Sequence, residues 1–185
     1  VDPHGGIVFG TYNEHPDRKN RKPMASLYRL APDLSLTQLL TNITVSNGIA
    51  FSQGDNIMYF ADTPTGRIQK FEYSQDFKKL NELDSNLIFN DVGAPDGATM
   101  DSQNNYWSAR VRGNCIICID MKNEKILKKI NLPTATPTCL TFGGPDSSNL
   151  FVTSLRAEPI NDSKDGNLYK VETNTQGQKQ LLSDI

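Results

Sequence analysis

A chain of 185 residues, 37% apolar and 22% charged, has the balance of an ordinary globular domain, which excludes a disordered or low-complexity polymer. A formal charge of -2 excludes the broadly basic surface that holds nucleic acid, and no apolar run approaches the ~20 residues of a membrane-crossing helix. The densest basic stretch, Arg18-Lys19-Asn20-Arg21-Lys22, lies between Pro16 and Pro23 and reads as a solvated loop.

Taken in chain order, the sequence reads as strands. No window keeps apolar residues at i, i+3, i+4 and i+7 over several turns with caps at its ends, so no helix is expected. A first unit, residues 1–44, offers Gly6-Ile7-Val8-Phe9-Gly10, Ser26-Leu27-Tyr28-Arg29-Leu30 and Leu36-Thr37-Gln38-Leu39-Leu40, and lacks most of its first strand. A second, residues 45–93, offers Gly48-Ile49-Ala50-Phe51, then Asn56 to Asp62, Arg67 to Tyr73 and Asn86-Leu87-Ile88-Phe89. The third, residues 94–135, repeats the pattern with Gly97 to Asp101, Asn105 to Ala109, Cys115 to Asp120 and Lys125 to Ile130. The fourth, residues 136–185, has Thr138 to Phe142, Asn149 to Thr153, Gly166 to Val171 and a last weak strand near Gln180-Leu181-Leu182.

Turn residues punctuate the units alike. Gln53-Gly54-Asp55-Asn56, Ser102-Gln103-Asn104-Asn105 and Gly144-Pro145-Asp146-Ser147 each link a first strand to a second. Aligning Ile7, Met58, Tyr106 and Leu150 gives about the period of propeller blades. The expected fold is therefore all-β, a propeller of four-stranded blades around a central channel, with blades over about residues 1–44, 45–93, 94–135 and 136–185.

Cys115 and Cys118 stand three apart in an expected strand, where they face opposite sides of a sheet, so neither a zinc site nor a redox pair is expected. Buried free thiols fit a reducing compartment, and the cytoplasm is the expected location. Trp107, Tyr59 and Tyr106 fall on second strands and read as packing between blades; Asp62, Asp101 and Asp120 end strands and read as turn residues. With only His4 and His15, and no nucleophile elbow or Gly-rich phosphate loop, neither a Ser/His/Asp triad nor a nucleotide site is expected.

Two tripeptides carry the chemistry. Ser46-Asn47-Gly48 precedes Ile49-Ala50-Phe51, and Pro95-Asp96-Gly97 precedes Ala98-Thr99-Met100, about fifty residues later. Alone, each is a turn sequence. Repeated at the heads of successive first strands, the Asn carbonyl and Asp carboxylate are hard oxygen donors suited to Ca²⁺, Mg²⁺ or Mn²⁺.

These stretches, with Tyr59-Phe60-Ala61-Asp62, Asp101, Tyr106-Trp107, Phe142-Gly143-Gly144 and Phe151-Val152-Thr153-Ser154, resemble the senescence marker protein, gluconolactonase and luciferin-regenerating enzyme family, the regucalcin-like proteins. The likeness runs nearly end to end, and Val1-Asp2-Pro3 followed by Gly10-Thr11 resembles the passage after that family's Asn-Asp-Gly motif. It implies a six-bladed propeller of which this sequence carries about four blades, the N-terminal two being absent. It also implies one divalent cation (Ca, Zn, Mg or Mn) in the central channel and hydrolysis of sugar lactones. By motif position Asn47 and Asp96 match metal ligands, with Asp96 serving as general base as well; the family's Glu ligand and its Asn-Asp-Gly asparagine have no counterpart.

In the loop Thr11-Tyr12-Asn13-Glu14-His15, Glu14 keeps one of the acids that relatives carry near substrate, whereas His15 departs from their pattern. The expected partner is a small-molecule lactone, with neither nucleic acid nor membrane, and with self-association through open blade edges. Two alternatives stay open: a non-catalytic propeller fragment or paralogue that binds a cation or a protein partner, and a closed four-bladed ring.

Overall fold

The computed structural model describes residues 1–13, 17–85, 87–156 and 164–185. Its strands form four antiparallel sheets, each built from consecutive strands. The first holds β1 (Ile7–Gly10), β2 (Ala25–Leu30) and β3 (Leu36–Ile43). The second holds β4 (Ser46–Phe51), β5 (Ile57–Asp62), β6 (Arg67–Tyr73) and β7 (Leu80–Leu83). The third holds β8 (Ala94–Met100), β9 (Asn105–Val111), β10 (Cys115–Asp120) and β11 (Lys125–Asn131), and the fourth β12 (Pro137–Gly143), β13 (Asn149–Ser154) and β14 (Leu168–Glu172). Among the described residues only short 3-10 turns are helical, and no helix is long and apolar enough to cross a membrane.

The middle strands are apolar almost without interruption because both of their faces are buried. On β5, Met58 and Phe60 pack toward the first sheet with Val8, Leu27 and Phe71, whereas Ile57, Tyr59 and Ala61 pack toward the third with Tyr106 and Ile117. On β9 and β10, Trp107, Ala109, Ile116 and Cys118 join Leu140, Phe142 and Val152 of the fourth sheet. The alternation of a strand thus divides its side chains between two cores, and the sheets stack face to face. Cys115 and Cys118 are both buried and lie in different cores, as their spacing requires. Tyr59 and Tyr106 meet edge to face at 5.6 Å, which bears out their reading as packing residues. In consequence β4 and β8 lie beside each other, and β12 beside β8.

Two expected strands differ. The last strand of the second sheet is Leu80–Leu83, not residues 86–89; Asn86 lies outside the described residues, and Ile88 makes only an isolated bridge to Arg67. The cause is a tight reversal after β6, where Phe77 N–H donates to Ser74 O at 2.7 Å with Phe77 at φ 52°, so the chain pairs at once through a short polar strand with no apolar run. The strand expected near Gln180-Leu181-Leu182 does not form. The chain on either side of it bonds elsewhere: Ser102 N–H donates to Gln176 O at 2.9 Å, Gln178 N–H to Met100 O at 3.3 Å, and Asp184 N–H to Gly5 O at 3.0 Å. The tail thereby crosses from the fourth sheet, past the end of β8, to the start of β1. It helps enclose a cavity of about 330 Å³ lined by Val8, Phe51, Met100, Leu140 and Leu181 at the far ends of the inner strands; neither Asn47 nor Asp96 lines it.

Asp101 and Asp120 both close turns by accepting the N–H two residues on, at 2.9 Å in each case. Asp101, however, is fully buried and also accepts from Asn105 N–H, Asn105 Nδ2 and Trp107 Nε1. Replacing it leaves buried donors without partners. Asp101→Ala is expected to destabilise the chain by about 2–4 kcal/mol in urea titrations, with Asp120→Ala shifting the midpoint far less.

Candidate functional site

The two tripeptides occupy matched positions in their sheets. Ser46 pairs with Asp62 and Ala50 with Tyr59, so four steps along β4 answer three along β5. Pro95 pairs with Arg110 and Thr99 with Trp107, the same four against three. A one-residue bulge therefore sits on each motif, and a bulge turns a side chain out of the regular alternation. Glycine is required after each. At Gly48, where φ is +62°, a Cβ would lie 2.4 Å from Tyr106 Oη, whose hydroxyl donates to Gly48 O at 2.8 Å. At Gly97 a Cβ would lie 2.8 Å from both Cys139 Cα and Thr138 O, backbone that cannot move aside.

Asn47 and Asp96 are joined through one side chain. Asn47 Nδ2 donates to Thr63 Oγ1 at 2.8 Å, and Thr63 Oγ1 donates to Pro95 O at 2.8 Å, one residue before Asp96. Beneath them Asp62, buried, does not cap its own turn. It accepts from Thr44 N–H at 3.0 Å and Val45 N–H at 2.8 Å and so fixes the chain leading into β4. Arg110 occupies the matching place in the third sheet and donates to Phe89 O at 2.9 Å and Gly93 O at 2.5 Å, fixing the chain leading into β8.

Asp96 is partly buried and, among the described residues, has no ion-pair partner. Desolvation pushes its carboxyl up to about 6, against the opposing pull of the Gly97 backbone N–H. Burial, aided by the Asp96 charge, also raises the Cys139 thiol on β12, whereas the Leu140 backbone N–H lowers it. An amide oxygen and a carboxylate without a cationic partner, presented from adjoining strands, fit a hard cation such as Ca²⁺, Mg²⁺ or Mn²⁺. Among the described residues, however, no group of three or more His, Cys, Asp or Glu forms a cage around them.

Thr63 and Thr138 carry roles that the sequence reading missed. Thr63 opens Thr63-Pro64-Thr65-Gly66, a turn-forming sequence between β5 and β6 that explains it locally. Thr138 stands in the third inner strand where Asn47 and Asp96 stand in theirs, with Pro137 paired to Ser154 and Cys139 to Thr153 across another extra residue. Its signal was Pro137-Thr138 lying in step with Pro95-Asp96, but its hydroxyl shares a hydrogen bond of 2.9 Å with Thr153 Oγ1. Glu14 and His15 lie outside the described residues.

The Asp96 pKa carries a sign. Because the folded value lies above the ordinary 3.8, the folded chain holds a proton that the unfolded chain has lost between about pH 4 and 6. Stability without added cation is expected to fall as pH rises through that window and to level off above it. Asp96→Asn is expected to remove that slope and raise the chelator-treated protein's melting temperature at pH 7, read by thermal melts at pH 4, 5, 6 and 7.

Residues 1–156 match the family described as the SMP-30/Gluconolactonase/LRE-like region. The chain is 32% identical over 157 residues to 6-deoxy-6-sulfogluconolactonase of Pseudomonas putida, an alignment covering 84% of this chain and 52% of that one. A solved luciferin-regenerating enzyme is 28% identical with a TM-score of 0.90, covering 100% of this chain and 64% of its own. The structure of a calcium-binding protein, regucalcin from Agrobacterium tumefaciens, is 25% identical with a TM-score of 0.85, covering 97% and 61%. The chain spans roughly half to two thirds of the curated relatives it matches, 52% to 65% of their length. By the match over residues 1–156, the chain belongs to the SMP-30/gluconolactonase/LRE-like family.

Proposed function

We propose that this chain is the metal-bearing part of a divalent-cation-dependent hydrolase of sugar lactones. The observation that carries the reading is the link from Asn47 through Thr63 to Pro95, which ties Asn47 to the backbone immediately before Asp96 at the heads of adjoining inner strands. The Pseudomonas putida relative is by name a lactonase, and the Agrobacterium tumefaciens structure is by title a calcium-binding protein. The finer architecture proposed is a six-bladed propeller, with about four blades here over residues 1–44, 45–93, 94–135 and 136–185. Glu14 is proposed to reach the substrate.

In this reading Asn47 and Asp96 hold the cation. When bound, the cation polarises the lactone carbonyl as a Lewis acid and favours ionisation of water near neutral pH. Asp96 acts on the attacking water. An ionised carboxylate oxygen takes one proton as the water oxygen forms its bond to the carbonyl carbon. The ring C–O bond breaks, the proton passes to the departing alkoxide, and lactone plus water becomes the open hydroxy acid. In the cation-free chain desolvation raises this carboxyl to about 6; a bound cation beside it would favour the ionised form that accepts the proton.

Asp96→Ala and Asn47→Ala are each expected to weaken Ca²⁺ or Mn²⁺ binding by tenfold or more in calorimetric titrations. Hydrolysis of gluconolactone is expected to stop with chelator and to return with added cation. Unchanged titration curves in both variants, or hydrolysis indifferent to chelator, refute the assignment.

A further inference from the structure

The hydroxyl of Thr63 has a single proton, and that proton has one destination. A carbonyl oxygen can only accept, so the contact of 2.8 Å to Pro95 O commits the Thr63 proton to Pro95. The contact of 2.8 Å from Asn47 must then be made by a donor, which fixes the amide nitrogen toward Thr63 and the Oδ1 atom away from it. Were the amide reversed, two acceptors would face each other across that distance. Thr63 is anchored to make this choice: its own N–H donates to Val45 O at 3.1 Å, and Asp62 beside it receives the N–H groups of Thr44 and Val45.

We propose that Thr63 is the positioning residue of the cation site. It selects which end of the Asn47 amide is offered as ligand, and it ties the head of β4 to the backbone immediately before Asp96. It touches neither cation nor substrate. The inference rests on the cation-site reading above and adds to it a residue whose contribution is proton bookkeeping between two strands. The same turn contains an internal control. Thr65 Oγ1 donates to Asp62 O at 2.8 Å and accepts from Arg67 N–H at 3.2 Å, so it braces the turn without reaching either ligand strand.

The test is a calorimetric titration of the protein with Ca²⁺ and with Mn²⁺, comparing wild type with Thr63→Val, Thr63→Ser, Thr65→Val, Asn47→Ala and Asp96→Ala. Thr63→Val is nearly isosteric but can neither accept nor donate, and it is expected to weaken binding by about tenfold or more, the usual effect of losing an outer-shell partner. Thr63→Ser restores the hydroxyl and is expected to bind within about threefold of wild type. Thr65→Val is expected to bind like wild type. In the wild-type protein without cation, nuclear Overhauser effects are expected from the Asn47 side-chain NH₂ to the Thr63 methyl, a readout that stands even if Thr63→Val fails to fold.

Wild-type affinity in Thr63→Val, beside lost affinity in Asn47→Ala and Asp96→Ala, would overturn the role of Thr63 and leave the cation site standing. An equal loss in Thr65→Val would make the effect one of turn integrity, and it too overturns the proposal, as does absence of the Asn47-to-Thr63 effect. No cation binding by the wild-type protein overturns this inference together with the reading on which it rests.

Discussion

The chain is so closely packed at the heads of β4 and β8 that the last residue of each motif must lack a side chain. Against Gly97 the obstruction is the backbone of β12 itself, and against Gly48 it is the hydroxyl of Tyr106, which needs that space to donate to Gly48 O. With those positions emptied, each inner strand takes one residue more than its partner: in β8 the surplus falls at Asp96-Gly97, and in β4 it falls just after Asn47, which itself pairs with Ala61. Close packing, bulge and functional side chain are thus one device, repeated in two sheets. The third repeat has the surplus residue as well, but its threonine is turned back onto a threonine of β13.

The approach to each bulge is secured by opposite chemistry in the two sheets. Asp62 gathers backbone N–H groups ahead of β4, and Arg110 gathers backbone carbonyls ahead of β8. Either solution satisfies loop groups that would otherwise be buried without partners. At Asp96 the chain accepts a cost instead, since a desolvated carboxylate with no cationic neighbour disfavours its own ionisation. Arg110 carries a cost of the same kind, its Nε and Nη1 being buried without hydrogen-bond partners, so two incompletely compensated groups flank the head of β8, as at sites kept for chemistry.

Much of this was legible in the residues. Strand order, the missing first strand of the first sheet, the packing role of Tyr59 and Tyr106, and the opposed faces of Cys115 and Cys118 all follow from alternation and turn chemistry. The misread strands were of another kind. Leu80–Leu83 carries Asn81 and Glu82 and is held by a tight turn rather than by an apolar pattern, while Leu181 and Leu182 look like a strand but lie in a tail whose flanking residues, Gln176, Gln178 and Asp184, bond to chain far away in sequence. The motifs marked Asn47 and Asp96, but Thr63 was hidden because a threonine at the start of a turn has an adequate local explanation. Only the approach of β8 to that turn reveals its second partner.

Hydrogen bonding is strong within each sheet and sparse between sheets, which are joined mainly by side-chain cores, isolated contacts such as Arg112 N–H to Ala135 O, and the C-terminal tail. Amide exchange in such a molecule proceeds in units, each sheet opening with its own strands rather than with the whole chain. The tail joins the end of β8 and the start of β1, and it belongs to no sheet's ladder. Its amides are therefore the first to report separation of the outer sheets, before any ladder opens. The tail is a built-in strain gauge for the curvature of the stack.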